Sequence, residues 1–329
     1  MSTLLTNSDE RSRALIELPA GHLPALRADL DQAVAYAKAE KAEATRKAYG
    51  SDFAIFAAWA AERGLTGLPA SAEAVAAFLA HEATIGVKPS TISRRVAAIR
   101  YAHRLAGLAS PTDAEPVKAT VRGIRREKGT APKKMAPATS GVLIAMAAAG
   151  DGGLAAIRDR ALLLLGFAGA FRRSELVGLD VGDLQETEAG LLVTIRRSKT
   201  DQEGAGQTIA IVRGSIACPV QAVRAWIEAA GITEGAVFRP ITRGGRVRAL
   251  RLTAHSVAAI VKARASAIGL KASDFGGHSL RAGFITSAAA KGASLFRMMD
   301  VSRHKSVDTL RGYVRNVEAF KDHAGAGLL

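Results

Sequence analysis

Residues 191–212 read LLVTIRRSKTDQEGAGQTIAIV, and they break the rhythm of the chain around them. On either side, apolar residues recur every three or four positions, as on one face of a helix. Here two β-branched runs flank a polar loop that contains glycine. The change of period predicts a β-hairpin with Lys199 in its loop, set in a chain otherwise built of helices. The fold class that follows is mainly α with a small β-sheet.

Working outward, TSGVLIAMAAAG and LAAIRDRALLLLGFAGAF precede the hairpin, and CPVQAVRAWIEAAG, TAHSVAAIVKARASAIG and the segment around His278 follow it. All carry helical periodicity, which predicts an α+β domain over residues 138–329. Residues 23–128 read as an all-α bundle, with helices beginning near Pro24, Ser71, Ser90 and Glu115. A further helix is expected to have Thr45 as its N-cap and Gly64 as its stop. Between the two domains EKGTAPKKMAPATS mixes Gly, Pro, Lys and small polar residues, which places a linker at 129–137. Residues 1–22 are left as an N-terminal extension.

Lys and Arg number 45 against 30 Asp and Glu, a formal net charge of +15. A positive field of that size attracts polyanions, so nucleic acid leads the candidate partners. An anionic membrane surface would call for a basic amphipathic helix beside bulky apolar anchors, and no segment combines them. Cys218 is the only cysteine, which excludes an intrachain disulfide and a cysteine-based metal site and points to a reducing cytosol. The polar, acidic start MSTLLTNSDER is unsuited to a signal peptide, and the longest apolar run, ALLLLGFAGAF, is too short to span a bilayer. A cytoplasmic, nucleoid-associated protein without membrane contact is expected.

The charge is concentrated. Between residues 88 and 134 stand twelve basic residues, Lys88, Arg94, Arg95, Arg100, Arg104, Lys118, Arg122, Arg125, Arg126, Lys128, Lys133 and Lys134, against Asp113, Glu115 and Glu127. A basic run is usually a solvated helix face, but the shortage of balancing acids here points to DNA phosphates. Arg243, Arg246, Arg248 and Arg251 form a second basic group, and with the helix carrying Arg94 to Arg104 they are the candidates for sequence readout.

Other residues bear on chemistry. In GAFRRSELVGL, Arg172 and Glu175 share a helix face at i and i+3, which alone reads as a surface pair. Lys199 alone reads as a solvated loop residue. GHSLRAGF, residues 277–284, sets His278 and Arg281 one turn apart, and SRHKSVDTLRGYVR places Tyr313 nine residues after His304. Tyr36, Tyr49 and Tyr101 fall in the first domain, leaving Tyr313 alone in the second.

Taken in order, Arg-x-x-Glu, a hairpin Lys, His-x-x-Arg, His and then Tyr resemble the tyrosine recombinase and phage integrase family. The resemblance runs from about Met135 to the end, and more loosely the helical N-terminal half is similar to that family's SAM-like core-binding domain. It implies a site-specific DNA recombinase acting as a tetramer on two inverted-repeat sites, with the tail NVEAFKDHAGAGLL docking into a neighbour. By the same resemblance Tyr313 is the nucleophile that forms a 3′-phosphotyrosyl link, and Arg172 and Arg281 hold the non-bridging oxygens. Lys199 is then the general acid, His278 assists proton transfer, His304 bonds the phosphate, and Glu175 steadies the group. No metal or cofactor is expected.

Two places depart from the family's usual pattern: Ala170-Phe171 stands where Gly-Leu or Gly-Met is frequent, and Ser302-Arg303 where Leu-Gly is frequent. Two rivals remain open at this point. TSAAAKGASLFRMMDVS, with Gly292 at a turn, reads as a helix-turn-helix of a non-catalytic regulator. A type IB topoisomerase would share the tyrosine chemistry.

Overall fold

The structure is a computed structural model that describes residues 24–131, 134–196, 198 and 206–317. The chain folds as two compact units, one up to residue 132 and the other from residue 133.

The first unit is helical: α1 (Pro24–Ala39), α2 (Glu43–Ala61), α3 (Ala72–Thr84), α4 (Pro89–Leu105), a 3-10 turn at Pro111–Asp113, and α5 (Glu115–Lys128). Ser71 caps α3, its hydroxyl accepting from the Ala74 amide at 3.1 Å. Pro89 opens α4, where its missing N–H costs nothing. The start of α2 differs from expectation, because Ala42 rather than Thr45 takes the N-cap position. Ala42 supplies the extended backbone, and Glu43 stands in the first turn, where its charge favours the positive end of the helix dipole. The core gathers Phe56 and Trp59 from α2, Val75, Phe78 and Leu79 from α3, and Ile92 and Ile99 from α4. Phe78 meets the Phe56 and Trp59 rings at centroid distances of 5.1 and 5.4 Å.

The second unit comprises α6 (Ser140–Ala148), α7 (Leu154–Ala168), α8 (Arg173–Gly178), β1 (Leu184–Glu186), β2 (Gly190–Ile195), β3 (Gln207–Val212), α9 (Pro219–Ala229), α10 (Ala254–Ala267), α11 (Ser279–Ala290), α12 (Leu295–Ser302) and α13 (Val307–Val317). The sheet is antiparallel in the order β1-β2-β3, with Leu191 opposite Ile211 and Val193 opposite Ile209. Alternation buries Leu191, Val193 and Ile195 on the face that meets Ile209 and Ile211. Strand β1 was not expected; three residues are too few to show a period.

Helix α7 is the centre of this unit, with Leu162, Leu163, Leu164 and Leu165 all buried. Such an all-round apolar run fits a helix packed on several sides, here by α6, α9 and α11. A smaller separate core joins Ile285 and Ala289 of α11, Met298 of α12 and Leu310 of α13, and Tyr313 packs against it. Among the described residues no helix is long and apolar enough to cross a membrane.

Candidate active site

Two glycines of the GHSLRAGF stretch let backbone and side chains converge. A Cβ on Gly283 would sit 1.8 Å from the Ala138 carbonyl oxygen, so α11 can lie against the segment before α6 only with glycine there. The Ala138 amide then donates to the Ser279 carbonyl at 2.9 Å. A Cβ on Gly277 would fall 2.1 Å from Cδ of Arg173, whose stem fills that space. His278 takes the N-cap position of α11, and Arg281 follows in its first turn with 1 % of its surface exposed.

The second wall is the turn from α7 into α8. Ala170 adopts φ +45 and Phe171 is buried, which delivers Arg172 to the N-cap of α8. Nη1 of Arg172 donates to Oε1 of Glu175 at 2.6 Å, and the Arg172 amide donates to Oε2 at 2.9 Å. The pair is therefore not a solvated surface bridge: Glu175 is 3 % exposed. Arg173 is exposed and its stem lies against Gly277 beside His278, not on Glu175, which separates the roles of the two adjacent arginines.

Further contacts close the cluster. Nη1 of Arg281 donates to the Ala170 carbonyl at 2.8 Å, and its Nη2 lies 3.2 and 3.3 Å from the two ring nitrogens of His304. Oγ of Ser302 is 2.8 Å from Nδ1 of His304. The hydroxyl of Tyr313, on α13, is 3.1 Å from Nε2 of His278. Nζ of Lys134 stands 5.8 Å from the centroid of the tyrosine ring. Arg172, Glu175, His278, Arg281, His304 and Tyr313 thus meet in one place, drawn from three helices and the turns before them; Lys199 lies outside the described residues.

Family models cover most of the chain. The phage integrase family model matches residues 142–319, and the phage integrase N-terminal SAM-like domain matches residues 30–107. The chain belongs to the phage integrase family. Among curated relatives of this tyrosine recombinase, the "Integrase/recombinase xerD homolog" of Selenomonas ruminantium is 41% identical over 290 residues, covering 86% of this chain and 85% of the relative. Recombinase cre of Escherichia phage P1 is 24% identical, over 80% of this chain and 81% of its own. A lambda integrase dimer bound to a COC' core site shares the fold, with a TM-score of 0.60 at 17% identity over 94% of this chain and 84% of that one.

In this integrase-family site the charges set the protonation states. Desolvation, followed by Arg281, Arg172 and Arg173, pushes His278 below the usual imidazole value of 6.5 even though the residue keeps solvent access. Burial and the Arg281 and Arg172 guanidinium groups push His304 down to about 4. Both imidazoles are neutral at pH 7. Burial raises the Tyr313 phenol, against a smaller opposing pull from Arg281. Burial lowers Arg281 to about 9, which still leaves it a cation at pH 7. Burial raises Glu175, but Arg303 and the bonds from Arg172 outweigh it, so the carboxylate lies below its ordinary value and stays ionised.

The basic residues read from the sequence divide. Arg94 forks onto the buried Asp52, at 2.6 and 3.1 Å, and Arg95 pairs with the buried Glu82. The charge window from 88 to 134 therefore does have balancing acids, contrary to expectation; they come from α2 and α3. Arg100 bonds Asp113 at 2.6 Å and Arg122 pairs with Glu115, while Arg125 reaches the Ser93 hydroxyl at 3.0 Å. Arg104, Lys118 and Arg126 are exposed, as are Lys134, Arg243, Arg246 and Arg248. Arg251 bonds Asp180 at 2.5 Å and the Val177 and Leu179 carbonyls, so it ties the loop before α10 to the end of α8. Lys133 lies outside the described residues. The sequence reading missed Arg303, a buried cation that contacts Glu175; its one signal was the non-glycine residue before His304.

Proposed function

We propose that this tyrosine recombinase is a site-specific enzyme that cleaves and rejoins DNA through a 3′-phosphotyrosyl intermediate at Tyr313. The observation that carries the reading is the Tyr313 hydroxyl 3.1 Å from Nε2 of His278, beside the Arg172 and Arg281 guanidinium groups that help to hold this imidazole below its ordinary value. A phenol with a raised pKa is a weak nucleophile until a base takes its proton. Nε2 of His278 accepts that proton as the phenol oxygen attacks phosphorus and the bond to the 5′-oxygen breaks.

Arg172 and Arg281 bind the non-bridging oxygens, where charge accumulates in the transition state, and their planar forks stay cationic. His304 adds a hydrogen bond to the same phosphate. Lys199 protonates the departing 5′-oxygen; that role rests on the resemblance of the hairpin alone. The phosphotyrosyl bond keeps the energy of the broken phosphodiester, so rejoining calls for no nucleotide cofactor. The assembly in this reading is a tetramer on two inverted-repeat sites, in keeping with a family whose relatives include integrases and recombinases; the tail expected to join it lies, from residue 318 on, outside the described residues.

A nicked suicide substrate tests the chemistry. Wild-type protein is expected to form a covalent adduct that Tyr313→Phe loses completely. Arg172→Ala or Arg281→Ala is expected to slow adduct formation by about 10²- to 10³-fold, the cost typical of removing a transition-state donor. An undiminished adduct with Tyr313→Phe would reject the mechanism.

A further inference from the structure

Arg303 stands in the turn between α12 and α13 with φ +57, a conformation that side-chain-bearing residues rarely adopt. Its side chain is 3 % exposed. A buried guanidinium is costly unless its donors are met, and here Nη1 and Nη2 have specific partners while the buried Nε has none. Nη2 donates to Oε2 of Glu175 at 2.7 Å and lies 3.3 Å from the Ala170 carbonyl oxygen. Nη1 donates to the carbonyls of Gly169 at 2.9 Å and Val301 at 2.6 Å. The guanidinium carbon also lies 5.2 Å from the centroid of the Phe171 ring.

The contacts join the two turns that carry the site. Ala170 and Arg303 are the non-glycine residues with positive φ among those described, and the side chain of one is bonded to the carbonyl of the other. Glu175 bridges Arg172 through Oε1 and Arg303 through Oε2. The Ala170 carbonyl accepts from both Arg281 and Arg303. His304 is the next residue along the chain.

We propose that Arg303 is a positioning residue for cleavage: its buried fork fastens Glu175 and the Gly169–Ala170 carbonyls to the His304 turn, so that Arg172, Arg281 and His304 address one phosphate. Its reach to DNA is through those residues and not direct. A glycine here would adopt the backbone without strain, so the arginine costs a strained φ that only its side-chain contacts offset, which fits a role for that side chain. The proposal rests on the phosphotyrosyl reading of the site.

The test compares wild-type protein with Arg303→Gly, which relieves the backbone, and Arg303→Lys, which keeps the charge without the fork. Arg303→Gly is expected to bind core-site DNA as the wild type does. Its single-turnover cleavage should fall by about 10- to 100-fold, the usual effect of losing a residue that orients a reacting group. Its acid limb, to which Glu175 contributes together with His278, should also move to higher pH, because Glu175 loses the Arg303 cation that lowers it, and Arg303→Lys should recover part of both. Wild-type cleavage by Arg303→Gly, or a slower rate with an unmoved pH profile, would overturn the proposal. A second readout needs no cleavage: the ¹⁵N guanidinium resonances of Arg172 and Arg281 should be sharp in wild type and exchange-broadened in Arg303→Gly. Equally sharp resonances in both would reject the clamp, whereas failure of wild-type protein to cleave would reject the phosphotyrosyl reading instead.

Discussion

Arg173 separates electrostatics from contact at the site, because it helps to depress His278 yet is exposed and stands apart from the Arg172–Glu175 pair. Arg173→Ala removes one nearby cation, so His278 should take up a proton at higher pH. The acid limb of cleavage in wild type should lie below 6.5, the ordinary imidazole value, and shift upward in the variant; a pH–rate profile of adduct formation measures both. The sign for stability is the same. Between the folded values of His278 and His304 and 6.5, the unfolded chain binds protons that the folded chain does not, so stability falls as pH drops through that window. The individual residues of the site were legible because their spacings recur as a series. The strain was marked only indirectly, by the two departures from the family's usual glycines: Ala170 and Arg303 each carry a left-handed backbone costing about 1–2 kcal/mol, and nothing in their own residue types shows it.

At the scale of elements, α13 carries Tyr313, the proposed nucleophile, but rests on the smallest of the cores among the described residues. Leu310 is fully buried there beside Ile285, Ala289 and Met298. Leu310→Ala should cost about 2–5 kcal/mol, as buried leucine truncations do. Because that core is separate from the one around α7, cleavage should fall more than the main unfolding transition shifts; parallel rate and melting measurements check this. Most elements were readable from periodicity and caps. Ser71 and the hairpin between β2 and β3 stand where their chemistry puts them. Strand β1 escaped because it is defined by its partner, pairing Leu184 with Val193, and not by its own residues. The start of α2 moved because alanine at the cap and glutamate in the first turn suffice where a threonine cap was expected.

Over the whole molecule, a net charge of +15 marks a polyanion partner, but the fold decides which charges are free to meet it. Asp52 and Glu82 are far from Arg94 and Arg95 in sequence and next to them in space, so counting charges along a window overstates the phosphate-facing set. Lys118→Ala or Arg126→Ala should lower the slope of log affinity against log salt by about one each while leaving stability unchanged. Arg95→Ala should leave the slope unchanged and cost about 3–5 kcal/mol, since it strands Glu82 buried without its cation. Salt titrations of DNA binding and thermal melts distinguish the two classes. The central claim, that Tyr313 is the residue joined to DNA, is tested most directly by trapping the suicide-substrate adduct, digesting it with trypsin and nuclease, and sequencing the modified peptide by mass spectrometry. The account predicts a 3′-phosphate-linked nucleotide on Tyr313 in the peptide Gly312 to Arg315. A nucleotide on another residue, or a link through a 5′-phosphate, would contradict it.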